Sequence, residues 1–117
     1  FNIVYTVFRK TLVKGAVFVT KASELSAISA QLFPVFKSYN IKSAVLFGSY
    51  AKGKATEKSD IDLLVDSGLR GLRFVEFMED VRIATGKEVD VFDVAHIQPN
   101  SQIANEIRAS GVSLYEK

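Results

Sequence analysis

Residues 44–65 read AVLFGSYAKGKATEKSDIDLLV, and the fold turns on how this stretch divides. Ala44 to Phe47 is a short apolar run that stops at Gly48-Ser49, and Ile61 to Val65 is a second, entered through Asp60-Ile61-Asp62. Apolar runs of this length bounded by turn residues are read as buried strands. Side chains alternate along a strand, so Asp60 and Asp62 share one face while Ile61, Leu63 and Val65 take the other. Two oxygen donors side by side suit a hard divalent cation such as magnesium. With Gly48 ending the first strand and Ser49 opening a helical turn, unpaired backbone amides point outward toward any phosphate placed there.

Upstream, Thr20 is a candidate cap for a helix running to about Tyr39, with Leu25, Ile28, Leu32, Val35 and Phe36 as its apolar stripe. Pro34 removes a backbone donor and crowds the preceding turn, which predicts a kink or a new start near Phe33. Asn40 suits a left-handed helix end, and Ile41 to Phe47 lead into the first strand. Residues 1–19 are set apart as an N-terminal extension, ahead of a domain at 20–117. In the extension Ile3, Tyr5 and Val7 alternate with Val4, Thr6 and Phe8, and Val17 to Val19 is again β-prone. With Lys14-Gly15 as the turn, a short hairpin is expected, its apolar content favouring a partner surface. Phe1 in place of methionine is read as a missing or processed start.

Downstream, the loop Tyr50 to Ser59 holds Lys52, Lys54 and Lys58 opposed only by Glu57. Exposed loop lysines need no ligand to explain them, but beside the Gly-Ser turn Lys52 is the best placed to meet phosphate oxygens. Asp66-Ser67-Gly68 is a turn, and Leu72, Val75, Met78 and Val81 mark a core-facing helix from about 70 to Thr85, widened by Phe74 and Phe77 and closed by Gly86. On the next strand, Lys87 to Asp93, Glu88, Asp90 and Phe92 face opposite to Val89, Val91 and Asp93. Set beside the second strand, it adds Asp90 to Asp60 and Asp62 on one surface, and three carboxylates so gathered repel one another until a cation joins them. Asp66, Asp80 and Asp93 are read as caps or solvent-exposed groups. Pro99 opens a last helix to Ser110, with Ile103 and Ile107 inward and Gly111 at its end, before a terminal strand from Val112 to Tyr115. His96, the single histidine, reads as a loop residue, and Tyr50 and Tyr115 as core or rim. Helices alternating with strands in this order define an α/β (α+β) fold with a small sheet, helices mainly on one face and the carboxylate face open.

Composition sets limits. A chain of 117 residues, 48% of them hydrophobic, forms one domain that buries roughly two thirds of its unfolded surface. A net charge of +2 leaves a nucleic-acid partner unsupported. The absence of cysteine removes disulfides and thiolate zinc sites and leaves oxygen donors for any metal. No apolar run is long enough for a membrane span, and the order of charge and apolarity at the start opposes a secretion signal, which points to the cytoplasm.

Gly48-Ser49, ten residues, Asp60-x-Asp62, together with Tyr50, Ala51, Gly53 and Ser59, resembles the signature of the DNA polymerase β-like nucleotidyltransferase superfamily. The likeness covers about residues 20 to 117 and is strongest to the minimal nucleotidyltransferases, the MntA-like antitoxins of HEPN/MNT toxin–antitoxin pairs. It implies a mixed sheet with one or two Mg2+ ions held by Asp60, Asp62 and Asp90. It also implies Gly48, Ser49 and Lys52 at the phosphates of a nucleoside triphosphate, ATP as the substrate, and Asp90 assisting deprotonation of an acceptor hydroxyl. Larger relatives carry an acceptor-binding domain; here the acceptor is expected on another molecule, a tyrosine of a HEPN-family toxin. Two other readings compete: an antitoxin that blocks its partner by contact alone, and a nucleotidyltransferase acting on RNA or a small molecule.

Overall fold

A computed structural model describes residues 16–117, with side chains from Ser23 onward. The long helix α1 spans Ala16–Ser38, followed by β1 at Ser43–Phe47 and a single helical turn, α2, at Gly48–Ala51. Strand β2 spans Ile61–Asp66, helix α3 Leu72–Thr85 and strand β3 Val89–Asp93. A 3-10 turn at Val94–His96, helix α4 at Gln102–Ser110 and strand β4 at Val112–Glu116 complete the chain. Sheet order is β3-β2-β1-β4; β1 is antiparallel to β2 and β4, and β3 runs parallel to β2. The sheet is therefore mixed, as the signature implies.

Alternation decides which face is buried. Ile61, Leu63 and Val65 are buried, as are Ala44 and Leu46 on β1, whereas Asp62, Leu64 and Asp66 are only partly covered. Helices α1 and α3 pack together over the apolar side through Leu32, Phe36, Phe77 and Val81, all fully buried. Removing one such buried aromatic ring generally costs about 3–5 kcal/mol, so Phe36 and Phe77 pin this layer to the sheet. Among the described residues only α4 lies across the other side: a Cβ on Gly111, at its end, would stand 2.9 Å from the Val45 side chain and 2.6 Å from the Ile107 carbonyl.

Four expectations need correction. Helix α1 begins at Ala16, so Thr20 is internal and Val17 to Val19 are helical; β-branching is a weak preference that continuity of a helix overrides. The rest of the expected hairpin lies outside the described residues. Secondly, of the kink or new start expected at Pro34 the new start does not occur, since α1 runs through the proline as one helix, and Asn40 then takes the expected left-handed conformation at φ 56°. Thirdly, Leu72 and Val75 are 86% and 57% exposed and Met78 is exposed too, while Phe74, Phe77 and Val81 face inward. A strict spacing of three drifts about 60° per step around a helix of 3.6 residues per turn, which puts Leu72 and Val81 on opposite sides. The 3-then-4 spacing of Phe74, Phe77 and Val81 keeps one side. Finally, α4 starts at Gln102, capped by the Ser101 hydroxyl, which accepts from the Ala104 amide.

Asp93 is buried, not solvent-exposed. It accepts from the Ser67 amide and hydroxyl and from the Ala95 amide, capping the 3-10 turn and tying it to the end of β2. Tyr39 joins α1 to α3: its hydroxyl donates to Asp80 and Glu76, and the Arg73 guanidinium lies 4.3 Å from the ring centre. The hydrogen bond to Asp80, with burial and the charges of Asp80 and Glu76, pushes the hydroxyl's pKa from 10.0 to about 12. A tyrosine that holds its proton more tightly when folded lends stability that is complete below its ordinary pKa and lost as pH rises through the folded value. Denaturation of wild type and Tyr39→Phe at pH 9 and pH 11.5 is expected to show the wild-type advantage shrinking at the higher pH.

Candidate active site

The sheet registers assemble the site. Phe47 pairs with Asp62 across β1 and β2, and Asp62 pairs with Asp90 across β2 and β3. One row of the open face therefore presents the Asp62 and Asp90 carboxylates together, beside the point where β1 turns into α2. Gly48 makes that turn at φ +75°, and a Cβ there would lie 2.2 Å from Asp62 Oδ2. Only a residue without a side chain lets the backbone lie against that carboxylate. Ser49 follows in the first turn of α2, where backbone amides have no intrahelical acceptor.

Asp60 precedes β2 and is exposed, as is Asp90, while Asp62 is partly buried. Burial is the largest influence raising the Asp62 pKa, followed by the negative charges of Asp90, Glu106 and Asp60. No cation offsets them: the ion pairs among the described residues are Lys52–Glu106, Arg73–Glu76 and Arg82–Glu79. The expected three acids thus act on one another, but among the described residues no three acidic or histidine side chains close into a cage for a metal ion. Repulsion explains the open arrangement, since Asp60 and Asp90 reach into solvent where their charges are screened. Hard carboxylate oxygens in mutual repulsion without a counter-charge fit a divalent cation by their chemistry.

Ionisation of Asp62 costs the fold because its pKa is raised. That cost is absent below the ordinary carboxylate pKa and sets in as pH climbs through the raised folded value. Asp62→Asn is therefore expected to raise the melting temperature at pH 7, with the gain fading in acid; a neutral or lower melting temperature at pH 7 would show the site is not electrostatically strained.

Lys52 is present at the site, but its ammonium pairs with Glu106 of α4 at 3.1 Å. Glu106 was not among the residues singled out from sequence, and no motif marks it; its one signal is a position next to inward-facing Ile107. Tyr50 is buried in the core, and Tyr115 packs on Phe36. His96 follows β3 at the end away from Asp90, in a hollow of about 420 Å3 shared with Arg70 and Phe74, so it takes no part in the acid site.

A mixed four-stranded sheet with a Gly-Ser turn backing a strand-borne acid defines a nucleotidyltransferase fold. The sequence pattern of the polymerase beta nucleotidyltransferases matches residues 30–117, and the chain belongs to that family. A Methanocaldococcus jannaschii protein named as a protein adenylyltransferase is 35% identical over 86 residues, covering 70% of this chain and 92% of its own. The protein adenylyltransferase MntA of Thermococcus cleftensis is 33% identical over 70 residues, 56% of this chain and 69% of that one. Among solved structures, a toxin–antitoxin complex with AMP-PNP aligns at a TM-score of 0.65 and 20% identity, over 76% of this chain and 73% of that one. A complex of a tri-AMPylated Shewanella oneidensis HEPN toxin with an MNT antitoxin aligns at 0.61 and 18%, over 80% and 73%. At these identities the structural likeness establishes the fold. No described helix is long and apolar enough to cross a membrane.

Proposed function

We propose that this chain is a protein adenylyltransferase that moves AMP from ATP to a tyrosine hydroxyl of a HEPN-family toxin, and so acts as its antitoxin. The observation that carries the reading is the register row Phe47–Asp62–Asp90 with Gly48 pressed against Asp62. It sets the first turn of α2 beside two carboxylates that neighbour each other on one sheet face. Support for the acceptor comes from relatives named as protein adenylyltransferases and from the AMPylated toxin in the structural neighbour.

In this reading Asp60, Asp62 and Asp90 would hold one or two Mg2+ ions, whose charge would offset that of the triphosphate and its leaving group. Gly48 and Ser49 offer backbone amides and a hydroxyl to phosphate oxygens, and Lys52 a charge. Asp90, exposed at the sheet edge, faces the incoming hydroxyl and takes up its proton. The acceptor oxygen bonds to the α-phosphorus, the bond from that phosphorus to the bridging oxygen breaks, and pyrophosphate leaves. The acceptor lies on a second molecule that approaches the open face beside α4.

Incubating the chain with its HEPN-family partner, Mg2+ and ATP labelled in the α-phosphate tests the proposal. Label is expected on a partner tyrosine. An unlabelled partner, with all three acids intact and the two proteins bound, would sink it.

A further inference from the structure

Lys52 follows α2, the turn that backs Asp62, and its ammonium reaches across to α4 to pair with Glu106. Both side chains lie at the surface, 43% and 31% exposed. The turn that Lys52 ends begins at Gly48, which lies directly against the Asp62 carboxylate. The ion pair therefore stands beside the turn that backs the carboxylate set.

This juxtaposition addresses a hazard of the site. An ammonium on a flexible four-carbon stem is drawn to uncompensated carboxylates. Nothing but distance and competition keeps Lys52 from folding onto Asp62 and filling the place of a cation. Its ammonium pairs with Glu106 instead. The competitor is mounted firmly: α4 is capped by Ser101, buries Ala104 and approaches Val45 closely at Gly111. Glu106 is a fixed post and Lys52 a movable arm.

We propose that Glu106 is a positioning residue. It holds Lys52 at the rim, away from Asp60, Asp62 and Asp90, so that the carboxylates stay open to a divalent cation and the lysine is presented to the phosphates of the nucleotide. This inference rests on the nucleotidyl-transfer reading and adds to it a residue that acts through another. A surface ion pair contributes little to stability, so Glu106 variants remain folded and the effect appears in binding.

Calorimetric titration of the full chain with a non-hydrolysable ATP analogue in Mg2+ tests it. Glu106→Gln is expected to weaken the analogue by about 3- to 10-fold, the net scale of one hydrogen bond, and Lys52→Ala by a similar factor. The double variant is expected to bind no worse than Lys52→Ala alone, because Glu106 works through the lysine. Reversing the pair as Lys52→Glu with Glu106→Lys restores the bridge between α2 and α4 but not the affinity, whereas a mere structural brace would recover both. Wild-type affinity in Glu106→Gln, additive losses in the double variant, or recovery in the reversed pair would each overturn the inference and leave the nucleotide site standing. Failure of the wild-type chain to bind the analogue overturns the nucleotide reading itself, and this inference with it.

Discussion

Replacing Asp60 and Asp62 together by asparagine is expected to reduce AMP transfer to the partner by about 10³-fold or more while the two proteins still bind. Removing a single group aimed at the charge developing in a transition state costs about 10²–10³ in rate. In the proposed reading two donors of one cation site are lost, and groups that act as a unit do not add simply. Unfolding is not the expected cause, because burial and three neighbouring acids work against the charged form of Asp62. Neutralising it relieves the fold. The measurement is single-turnover labelling of the partner beside a binding assay and a melting curve. Loss of labelling and of toxin neutralisation with binding retained supports catalysis. Full neutralisation by the doubly substituted chain would instead establish an antitoxin that works by contact alone.

The acid site was legible because its logic is local. Strand parity alone placed Ile61, Leu63 and Val65 inward and Asp62 on the open face, and the same parity on β3 put Asp90 with it once the parallel register was given. Gly48 followed from a turn that ends an apolar run. What failed depended on tertiary choice. Helix α3 carries two apolar sets, Leu72, Val75 and Met78 against Phe74, Phe77 and Val81, and the chain buries the set with the larger rings and the truer helical spacing. Lys52 was legible as a cation beside the Gly-Ser turn, but its partner was not. Glu106 lies 54 residues further on and meets it only because α4 crosses the open face. No spacing rule links residues on two separate helices. For Asp93, read as a cap or a solvent-exposed group, only the tertiary contacts decide: Ser67 and Ala95 enclose it as a buried cap.

Gly48→Ala is expected to abolish nucleotide binding, by about 10²-fold or more, at a modest cost in stability. The backbone term is small. A left-handed conformation costs an ordinary residue roughly 1–2 kcal/mol, and Gly48 sits at φ +75°. The steric term is large in place but easily relieved: the new methyl would stand 2.2 Å from Asp62 Oδ2 and 3.1 Å from its carboxyl carbon. That carboxylate ends a short side chain, so rotation of Asp62 removes the collision without moving the sheet. Rotation is the damage, since it turns the acid out of the row it shares with Asp90 and spoils the donor set for a cation. Stability and binding therefore separate, and calorimetric titration beside thermal melting reads both. An Asp62→Ala background isolates the cause. There the carboxylate is absent, so adding Gly48→Ala costs only the backbone term in melting and takes little further from a binding signal already lost. Undiminished nucleotide binding by Gly48→Ala alone would mean that Asp62 does its work from another rotamer, and that the close approach of Gly48 serves packing instead of the nucleotide.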